Sequence, residues 1–309
     1  MQGVFLDIDG AFEKVWHLGL LAKLEQTNVT GKFLDLFRSY LTNRKQVTVV
    51  DGCKSEVRTI TAGIPQGSKL GPILFILYTN DIQKYIESEI LLYSDDTSLL
   101  ASGPSPIETS EILNRDLARI NDWAKIWKIK FNADKSCDLL FSTKSYATNP
   151  SLVLNSETIK KVTEHKHLEI YLTSTLDWTK QVHEVCLKAN CKLAVLRSIH
   201  YIQRKTLDLL YKVLVRSIID YALPVYYHSL NVSQKKRLSH IQYRAGKLCT
   251  GALHLTSQIK LEQEMGWISI EKRADFLSLC LFHKILCGHT QPLVRKCMPP
   301  RLEQTEHNT

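Results

Sequence analysis

The sequence contains no Cys-x-x-Cys pair, no internal repeat, and no apolar run that approaches the roughly 18 residues of a membrane span. Its eight cysteines are scattered, so neither a zinc knuckle nor a disulfide framework is indicated, and reduced thiols in an intracellular protein fit best. The first residues include acids and no basic segment, which argues against a signal peptide. We therefore expect a protein of the nucleus or cytoplasm with no membrane partner. The sequence gives no indication of oligomeric state.

Positive charge is scarce in the first third of the chain and abundant after it. Residues 1–103 hold 10 Lys and Arg against 12 Asp and Glu, which leaves 30 against 19 for residues 104–309. Residues 180–250 alone hold 13 basic residues against 3 acidic ones. A charged helical face is often only solvated, but an excess of this size beside a carboxylate cluster favours a polyanionic partner such as nucleic acid.

Acidic residues interrupt two apolar segments that otherwise have the pattern of β-strands. Asp95 and Asp96 stand between the hydrophobic arms of residues 91–100, a pattern typical of a β-hairpin with the acids at its tip. Asp7 lies in a predicted strand at residues 4–8. These acids could be ordinary turn and strand-end residues, or carboxylates from two adjacent strands could share magnesium. The glycine-rich segment at residues 62–72 would let the backbone approach a ligand closely.

Hydrophobic periodicity predicts an α+β fold followed by an all-α region. Strands are expected at residues 4–8, 46–50, 57–60 and 137–142, and helices at residues 11–24, 32–40, 71–82 and 107–127. From residue 179 onward the pattern is wholly helical, with a basic amphipathic helix at residues 233–248 and an apolar helix at residues 270–286. We expect the tail at residues 297–309 to be disordered.

Three motifs, in this order and spacing, resemble the palm motifs of reverse transcriptases. They are Phe-Leu-Asp at residues 5–7 with Ala-Phe at 11–12, Ala-Gly-Ile-Pro-Gln-Gly-Ser at 62–68, and Tyr-Ser-Asp-Asp-Thr at 93–97. They are most similar to those of non-LTR (LINE-type, jockey-like) retrotransposons, and the resemblance continues through residues 123–136 into the basic helical region. It implies a polymerase palm with an antiparallel sheet and packed helices at residues 1–177. A helical thumb-like region would follow at residues 178–296, before the tail at 297–309.

The resemblance implies an RNA-directed DNA polymerase that uses an RNA template, a DNA primer and dNTPs. Two magnesium ions, with manganese as an alternative, would be held by Asp7, Asp95 and the backbone carbonyl of Ile8. Asp96 would point the other way in an extended backbone, so it would be either a weaker ligand or an acid that orients the site.

The resemblance also implies roles for residues around these acids. Phe12 would lie under the incoming sugar and exclude a 2′-hydroxyl, although a core aromatic gives the same pattern. Gln66 and Gly67 would contact the incoming nucleotide and let the template–primer duplex approach. Lys135 would assist the leaving pyrophosphate, an isolated surface lysine being the alternative. The basic helix is the candidate for phosphate contacts with nucleic acid. Its candidate side chains are Lys235, Lys236, Arg237, Arg244 and Lys247.

Several positions depart from the family pattern. Glu13 stands where Asp is usual, Ser94 where Ala is common, and His-Leu-Glu at residues 167–169 replaces Tyr-Leu-Gly in the segment that grips the primer. No fingers region precedes the first strand, so we expect a truncated element with weak synthesis, or none, on its own. A non-catalytic nucleic-acid-binding relic is the alternative. A two-metal phosphodiester hydrolase is a third reading, but no base that could activate water is evident near the acids.

Overall fold

The structure is a computed structural model that describes residues 1–146, 148–253, 255–296 and 298. Apart from residue 298, the tail predicted to be disordered lies outside the described residues. The chain divides into two compact units. The first unit comprises Met1–His167 with Thr173–Leu176, and the second comprises Leu168–Leu172 with the described residues from Asp177 onward.

Most strands lie in the first unit and most helices in the second. The strands are β1 (Gln2–Ile8), β2 (Lys45–Gln46), β3 (Val49–Val50), β4 (Cys53–Lys54), β5 (Arg58–Thr59), β6 (Glu89–Tyr93), β7 (Asp96–Ala101), β8 (Phe131–Leu140), β9 (Val153–Leu154), β10 (Glu157–Thr158), β11 (Lys160–Val162), β12 (Glu164–His167) and β13 (Ile170–Thr173). The helices are α1 (His17–Gln26), α2 (Lys32–Leu41), α3 (Leu70–Thr79), α4 (Pro106–Trp127), α5 (Thr179–Ser198), α6 (Arg204–Leu210), α7 (Ser217–Asp220), α8 (Leu223–Tyr226), α9 (Val232–Thr250), α10 (Gln258–Met265), α11 (Ile270–Leu286) and α12 (Pro292–Lys296). Short 3₁₀ turns occupy Asn80–Tyr85 and Tyr227–Ser229, and a π-helical segment at Tyr211–Arg216 joins α6 to α7.

The first unit is built on a five-stranded sheet in the order β11-β8-β1-β7-β6. β1 lies in the middle and pairs antiparallel with both β7 and β8, while β11 joins β8 in parallel. Alternate side chains of β1 face opposite sides of the sheet. Val4, Leu6 and Ile8 enter the buried core together with apolar residues of α1, α3 and α4. Phe5 and Asp7 therefore lie on the other face. The α+β prediction is confirmed.

The helix predicted at residues 11–24 is wrong in its first part, because α1 begins at His17. The preceding carbonyls are used by another segment: Val15 O accepts a hydrogen bond from Gly63 N at 2.8 Å, and Phe12 O accepts one from Ile64 N at 2.9 Å. Trp16 also forms an isolated antiparallel bridge with Ala62. The backbone just before α1 is therefore turned toward the segment at residues 62–64, and the apolar stripe begins before the helix does.

Two strands also differ from expectation. The strand predicted at residues 137–142 is observed as the longer β8, whose early part carries a register shift opposite β1 and several polar residues that hide the alternation. The segment predicted as one strand at residues 46–50 is split, so that β2 pairs with β5 and β3 pairs with β4 around the turn at residues 51–52. These short strands are exposed.

The second unit is a helical bundle in its described residues from Thr179 onward. Its core includes Val182 and Ala189 of α5, Leu238 of α9 and Tyr211, which stacks on Trp267 at 4.3 Å between ring centroids. The basic helix α9 starts with a capping box in which Asn231 and Gln234 exchange hydrogen bonds with each other's backbone. This cap and the buried apolar stripe hold the helix and leave its basic side chains toward solvent.

Candidate active site

Asp95 and Asp96 occupy different positions in the hairpin between β6 and β7. Tyr93 pairs with Asp96 across the hairpin, so Ser94 and Asp95 form its two-residue turn and Asp96 begins β7. Ser94 has a φ of +56°, a left-handed conformation that such tight turns require at one or both central positions. The prediction that both acids lie at the tip therefore holds for Asp95, while Asp96 is part of the ladder.

Asp7 lies at the end of the neighbouring strand. β1 pairs with β7 up to Leu6 opposite Thr97, so the next residues along this register are Asp7 and Asp96. Asp7 N donates a hydrogen bond to Ser136 Oγ at 3.2 Å. Its carboxylate Oδ2 lies 3.8 Å from Lys135 Nζ. The fold thus brings Asp7 and Lys135 together beside the hairpin that carries the two other acids.

The three acids interact through their charges. Although much of Asp96 is exposed, desolvation raises the pKa of its carboxyl, the nearby His167 ring opposes this, and the negative charges of Asp95 and Asp7 add to the increase. Mutual repulsion of this kind is relieved by a cation. Carboxylate oxygens are also the donors that magnesium prefers.

Within the described part of the chain, no three His, Cys, Asp or Glu side chains are grouped closely enough to enclose one metal ion. A magnesium site in phosphoryl transfer needs fewer protein ligands, because one or two carboxylates act together with substrate phosphates and water. The acids at the end of β1 and in the β6–β7 hairpin are compatible with that kind of shared site. The ligand assignment to Asp7, Asp95, Asp96 and the Ile8 carbonyl stays a prediction.

Ile8 and Phe12 lie just beyond Asp7. The Ile8 side chain is buried in the core, which leaves its backbone as the part of the residue able to serve the site. Phe12 is half-buried and stacks on Phe75 with ring centroids 4.8 Å apart. Phe12 thus combines a core contact with a partly exposed ring. The structure is compatible both with a core aromatic and with a ring that lies under the incoming sugar.

The glycine-rich loop is held close to the segment that contains Phe12. Gly63 has a φ of +86°, and a Cβ added there would lie 2.5 Å from the backbone oxygen of Glu13. This glycine therefore allows a close approach to the chain's own backbone rather than to a ligand. Gly67, at a φ of +76°, has open space around it, as a contact with an external duplex would require. Gln66 is exposed and donates from Nε2 to Glu13 Oε1 at 3.4 Å.

A cluster of two histidines, a phenylalanine and a cysteine lies on the same sheet face as Asp7, and the sequence analysis missed it. The centroid of the Phe5 ring lies 4.3 Å from the ring centroid of His165 and 5.0 Å from that of His167. His165 Nδ1 is 3.1 Å from Cys137 Sγ, and His167 Nε2 is 3.4 Å from Ser98 Oγ. The spacing of two between the histidines, typical of one face of a strand, is the signal that could have indicated it.

Burial makes this cluster unsuited to acid–base or nucleophilic chemistry. Desolvation lowers the pKa of His165 to about 4, with a further contribution from His167. Desolvation also raises the pKa of the Cys137 thiol to about 11. Both groups are therefore neutral at physiological pH, and a neutral thiol is a poor nucleophile. The cluster therefore has a packing role on the sheet face that also carries Asp7.

The basic side chains of α9 are partly engaged with their own unit. Arg244 Nη1 donates to Asn190 Oδ1 at 2.7 Å, and Arg237 Nη2 lies 3.4 Å from His183 Nδ1. Lys235 Nζ lies 5.1 Å from the centre of the Tyr227 ring. Lys236 and Arg237 also line an open cleft of about 440 Å³ between α5 and α9. Arg237 and Arg244 thus lie on the flank of α9 that faces α5, and Lys235 lies on the flank that faces Tyr227.

Residues 2–191 match the protein-family model described as "Reverse transcriptase (RNA-dependent DNA polymerase)". The chain belongs to this family. The resemblance inferred from the three palm motifs is thereby confirmed. Reverse transcriptases generally use divalent metal ions. Among the described residues of this family member, no helix is long and apolar enough to cross a membrane.

Curated relatives of this reverse-transcriptase chain come from mobile elements. It is 30% identical over 79% of its length to the RNA-directed DNA polymerase from mobile element jockey of Drosophila melanogaster, and covers 27% of that protein. It is 26% identical over 97% of its length to the probable RNA-directed DNA polymerase from transposon X-element of the same species, and covers 34% of it. The chain thus spans between a quarter and about a third of these relatives. The structure of apo telomerase from Candida tropicalis aligns with 85% of this chain, and the alignment covers 43% of the telomerase chain. The sequence identity is 11% and the TM-score is 0.47.

Proposed function

We propose that this chain carries the nucleotidyl-transfer site of a retrotransposon RNA-directed DNA polymerase, with an RNA template, a DNA primer and dNTPs as its substrates. The observation that carries the proposal is the placement of Asp7 at the end of β1, beside the β6–β7 hairpin with Asp95 and Asp96, with Lys135 Nζ 3.8 Å from Asp7 Oδ2. Carboxylates on two neighbouring strands with an adjacent cation suit the transfer of a phosphoryl group between polyanions.

In this reaction the primer 3′-oxygen forms a bond to the α-phosphorus of the dNTP, and the bond from that phosphorus to the pyrophosphate oxygen breaks. Asp7, Asp95 and the Ile8 carbonyl would hold magnesium, or manganese, with Asp96 as the weaker or orienting acid. Bound there, the metal supplies charge neutralisation and activation of the attacking hydroxyl. Lys135, already beside Asp7, would neutralise charge on the departing pyrophosphate.

The residues around the acids would select and place the nucleotide. The partly exposed ring of Phe12 would lie beneath the sugar and leave no room for a 2′-hydroxyl. Gln66 and Gly67 would contact the nucleotide, and the absence of a side chain at Gly67 would let the template–primer duplex approach closely. Such positioning contributes much of the rate of phosphoryl transfer, because the protein supplies mainly alignment and charge.

A non-catalytic nucleic-acid-binding function is the second candidate, favoured by the row of cations on α9. Primer extension by the chain on an RNA template, with Mg²⁺ and all four dNTPs, separates the two. We expect weak synthesis that is lost in Asp95→Asn, whereas binding of an RNA–DNA duplex by the same variant stays within about twofold of the wild type. Duplex binding with no synthesis by the wild-type chain would favour the second function. Synthesis that survives in Asp95→Asn would contradict the proposed site.

A further inference from the structure

The carbonyl oxygen of Gly63 accepts hydrogen bonds from two side chains that come from different parts of the fold. His17 Nε2, at the first residue of α1, lies 2.8 Å away, and Arg44 Nη1, just before β2, lies 3.2 Å away. A carbonyl oxygen has two lone pairs and can only accept, so both are used and His17 must carry its proton on Nε2. Two donors on one oxygen fix the orientation of the peptide that follows Gly63.

The backbone on both sides of Gly63 is tied to the segment that contains Phe12. Gly63 N donates to Val15 O at 2.8 Å, and Ile64 N donates to Phe12 O at 2.9 Å. Gly63 itself has no room for a side chain next to the backbone of Glu13. Three residues further along, Gln66 reaches back to the Glu13 carboxylate. These hydrogen bonds tie the chain that leads to Gln66 to the segment that contains Phe12.

An open cleft of about 540 Å³ lies against this loop. Its lining includes Glu13, Arg44, Gln66 and residues 62–64. Arg44 is half-buried, whereas His17 is only 5% exposed, so His17 has almost no surface with which to touch a ligand. His17 instead contacts this loop through its hydrogen bond to the Gly63 carbonyl.

We propose that His17 and Arg44 are positioning residues for the incoming nucleotide, acting together through the Gly63 carbonyl to hold Gln66 in place relative to Phe12. The inference rests on the proposed function, because it takes Phe12 and Gln66 as nucleotide contacts. Neither His17 nor Arg44 is required to touch the substrate. Their loss should weaken nucleotide binding while leaving the binding of the template–primer duplex intact.

The test measures the Kd of a complementary dNTP in a complex of the full chain with Mg²⁺ and an RNA template annealed to a chain-terminated DNA primer. This measurement needs no catalysis. We expect His17→Phe and Arg44→Met each to raise the Kd about fivefold, the effect of one hydrogen bond. The double variant should raise it by less than the product of the two single effects, because both donors act on one oxygen. His17→Gln, which restores an N–H donor, should return the Kd to within about twofold of the wild type.

Two controls separate positioning from general damage to the fold. Arg38→Met removes an exposed arginine of α2 that forms an ion pair with Asp35, and it should leave the dNTP Kd unchanged. Amide hydrogen exchange at residues 62–68 should speed up in His17→Phe and in Arg44→Met, and the Kd for the duplex should not change. Arg44→Met keeps the inference testable if His17→Phe fails to fold, because Arg44 is only half-buried.

The outcomes distinguish the two proposals. Faster exchange with an unchanged dNTP Kd would show that the two donors only stabilise the loop, and would overturn the inference. If dNTP binding depends on His17 and Arg44 but the wild-type chain extends no primer, the inference is supported and the polymerase activity alone is contradicted. A wild-type chain that binds no dNTP would overturn both.

Discussion

Asp7 and Asp9 lie two residues apart at the end of the same strand, yet their surroundings differ. Asp9 Oδ2 is 2.7 Å from Lys14 Nζ, and this hydrogen-bonded ion pair lowers the pKa of Asp9. Asp7 is 3.8 Å from Lys135 and contributes to the repulsion felt by Asp96. Asp9 is therefore paired locally with a surface lysine, whereas Asp7 takes part in the acid cluster. This contrast supplies a matched pair of variants.

We expect Asp7→Asn to lower the rate of single-nucleotide incorporation about a hundredfold or more. The variant loses a carboxylate that is proposed to hold magnesium, and with it the neutralisation of charge on the reacting phosphates. Asp9→Asn makes the same chemical change but breaks only an exposed ion pair, and should keep the rate within about threefold. Pre-steady-state incorporation on an RNA template measures both. Equal losses in the two variants would mean that the strand end, rather than the Asp7 carboxylate, is what the reaction requires.

At the scale of elements, a buried lysine joins α1 to the 3₁₀ turn that follows α3 and to α4. Lys23 Nζ is 2.6 Å from Asp81 Oδ1 and also donates to the backbone oxygen of Tyr78. It lies 3.8 Å from the centre of the Trp127 ring and 4.8 Å from that of Trp123. Burial lowers the pKa of Lys23, while its bond to Asp81 opposes that change. The two tryptophans of α4 are thus packed around a cation.

We expect Lys23→Met to lower the free energy of unfolding by about 3 kcal/mol. The variant leaves the largely buried Asp81 carboxylate without its ion-pair partner and removes the cation–π contacts. Asp81→Asn keeps an oxygen that can accept from Lys23 and from Trp123 Nε1, so its cost should be smaller. Urea unfolding followed by tryptophan fluorescence gives both values. A Lys23→Met protein within about 0.5 kcal/mol of the wild type would show that the contacts of this lysine stabilise nothing.

At the scale of the whole molecule, the sequence predicts the features that depend on local interactions and misses those that depend on contacts between residues far apart in the chain. The hairpin of β6 and β7 depends on local pattern, and α2, α4 and α11 begin and end within about two residues of expectation. The contacts of His17 and Arg44 with Gly63 join residues 46 and 19 positions apart, and no periodicity indicates them. His17 lies within an apolar stripe that predicts a longer helix. Its role depends on a loop that approaches from elsewhere in the sequence.

The uneven charge of the chain leads to a prediction about nucleic-acid binding. The net charge is +9, and three basic side chains of α9, Arg244, Arg237 and Lys235, contact Asn190, His183 and Tyr227, respectively. Phosphate contacts release counterions, so each one adds about 0.9 to the slope of log K against log salt. If α9 contacts the duplex, Lys236→Gln with Arg237→Gln should reduce that slope by about 2 and weaken binding similarly for different sequences.

The control removes the same charge from another helix. Lys272→Gln with Lys284→Gln takes two exposed cations from α11 and lowers the net charge equally. Binding of an RNA–DNA duplex, measured by fluorescence anisotropy between about 50 and 200 mM salt, should then keep the wild-type slope. Equal reductions in the two double variants would show that the duplex responds to the overall charge of the molecule. A reduction confined to the α9 variant would show that the duplex lies at α9, because charges farther from it than the Debye length of about 10 Å are largely screened.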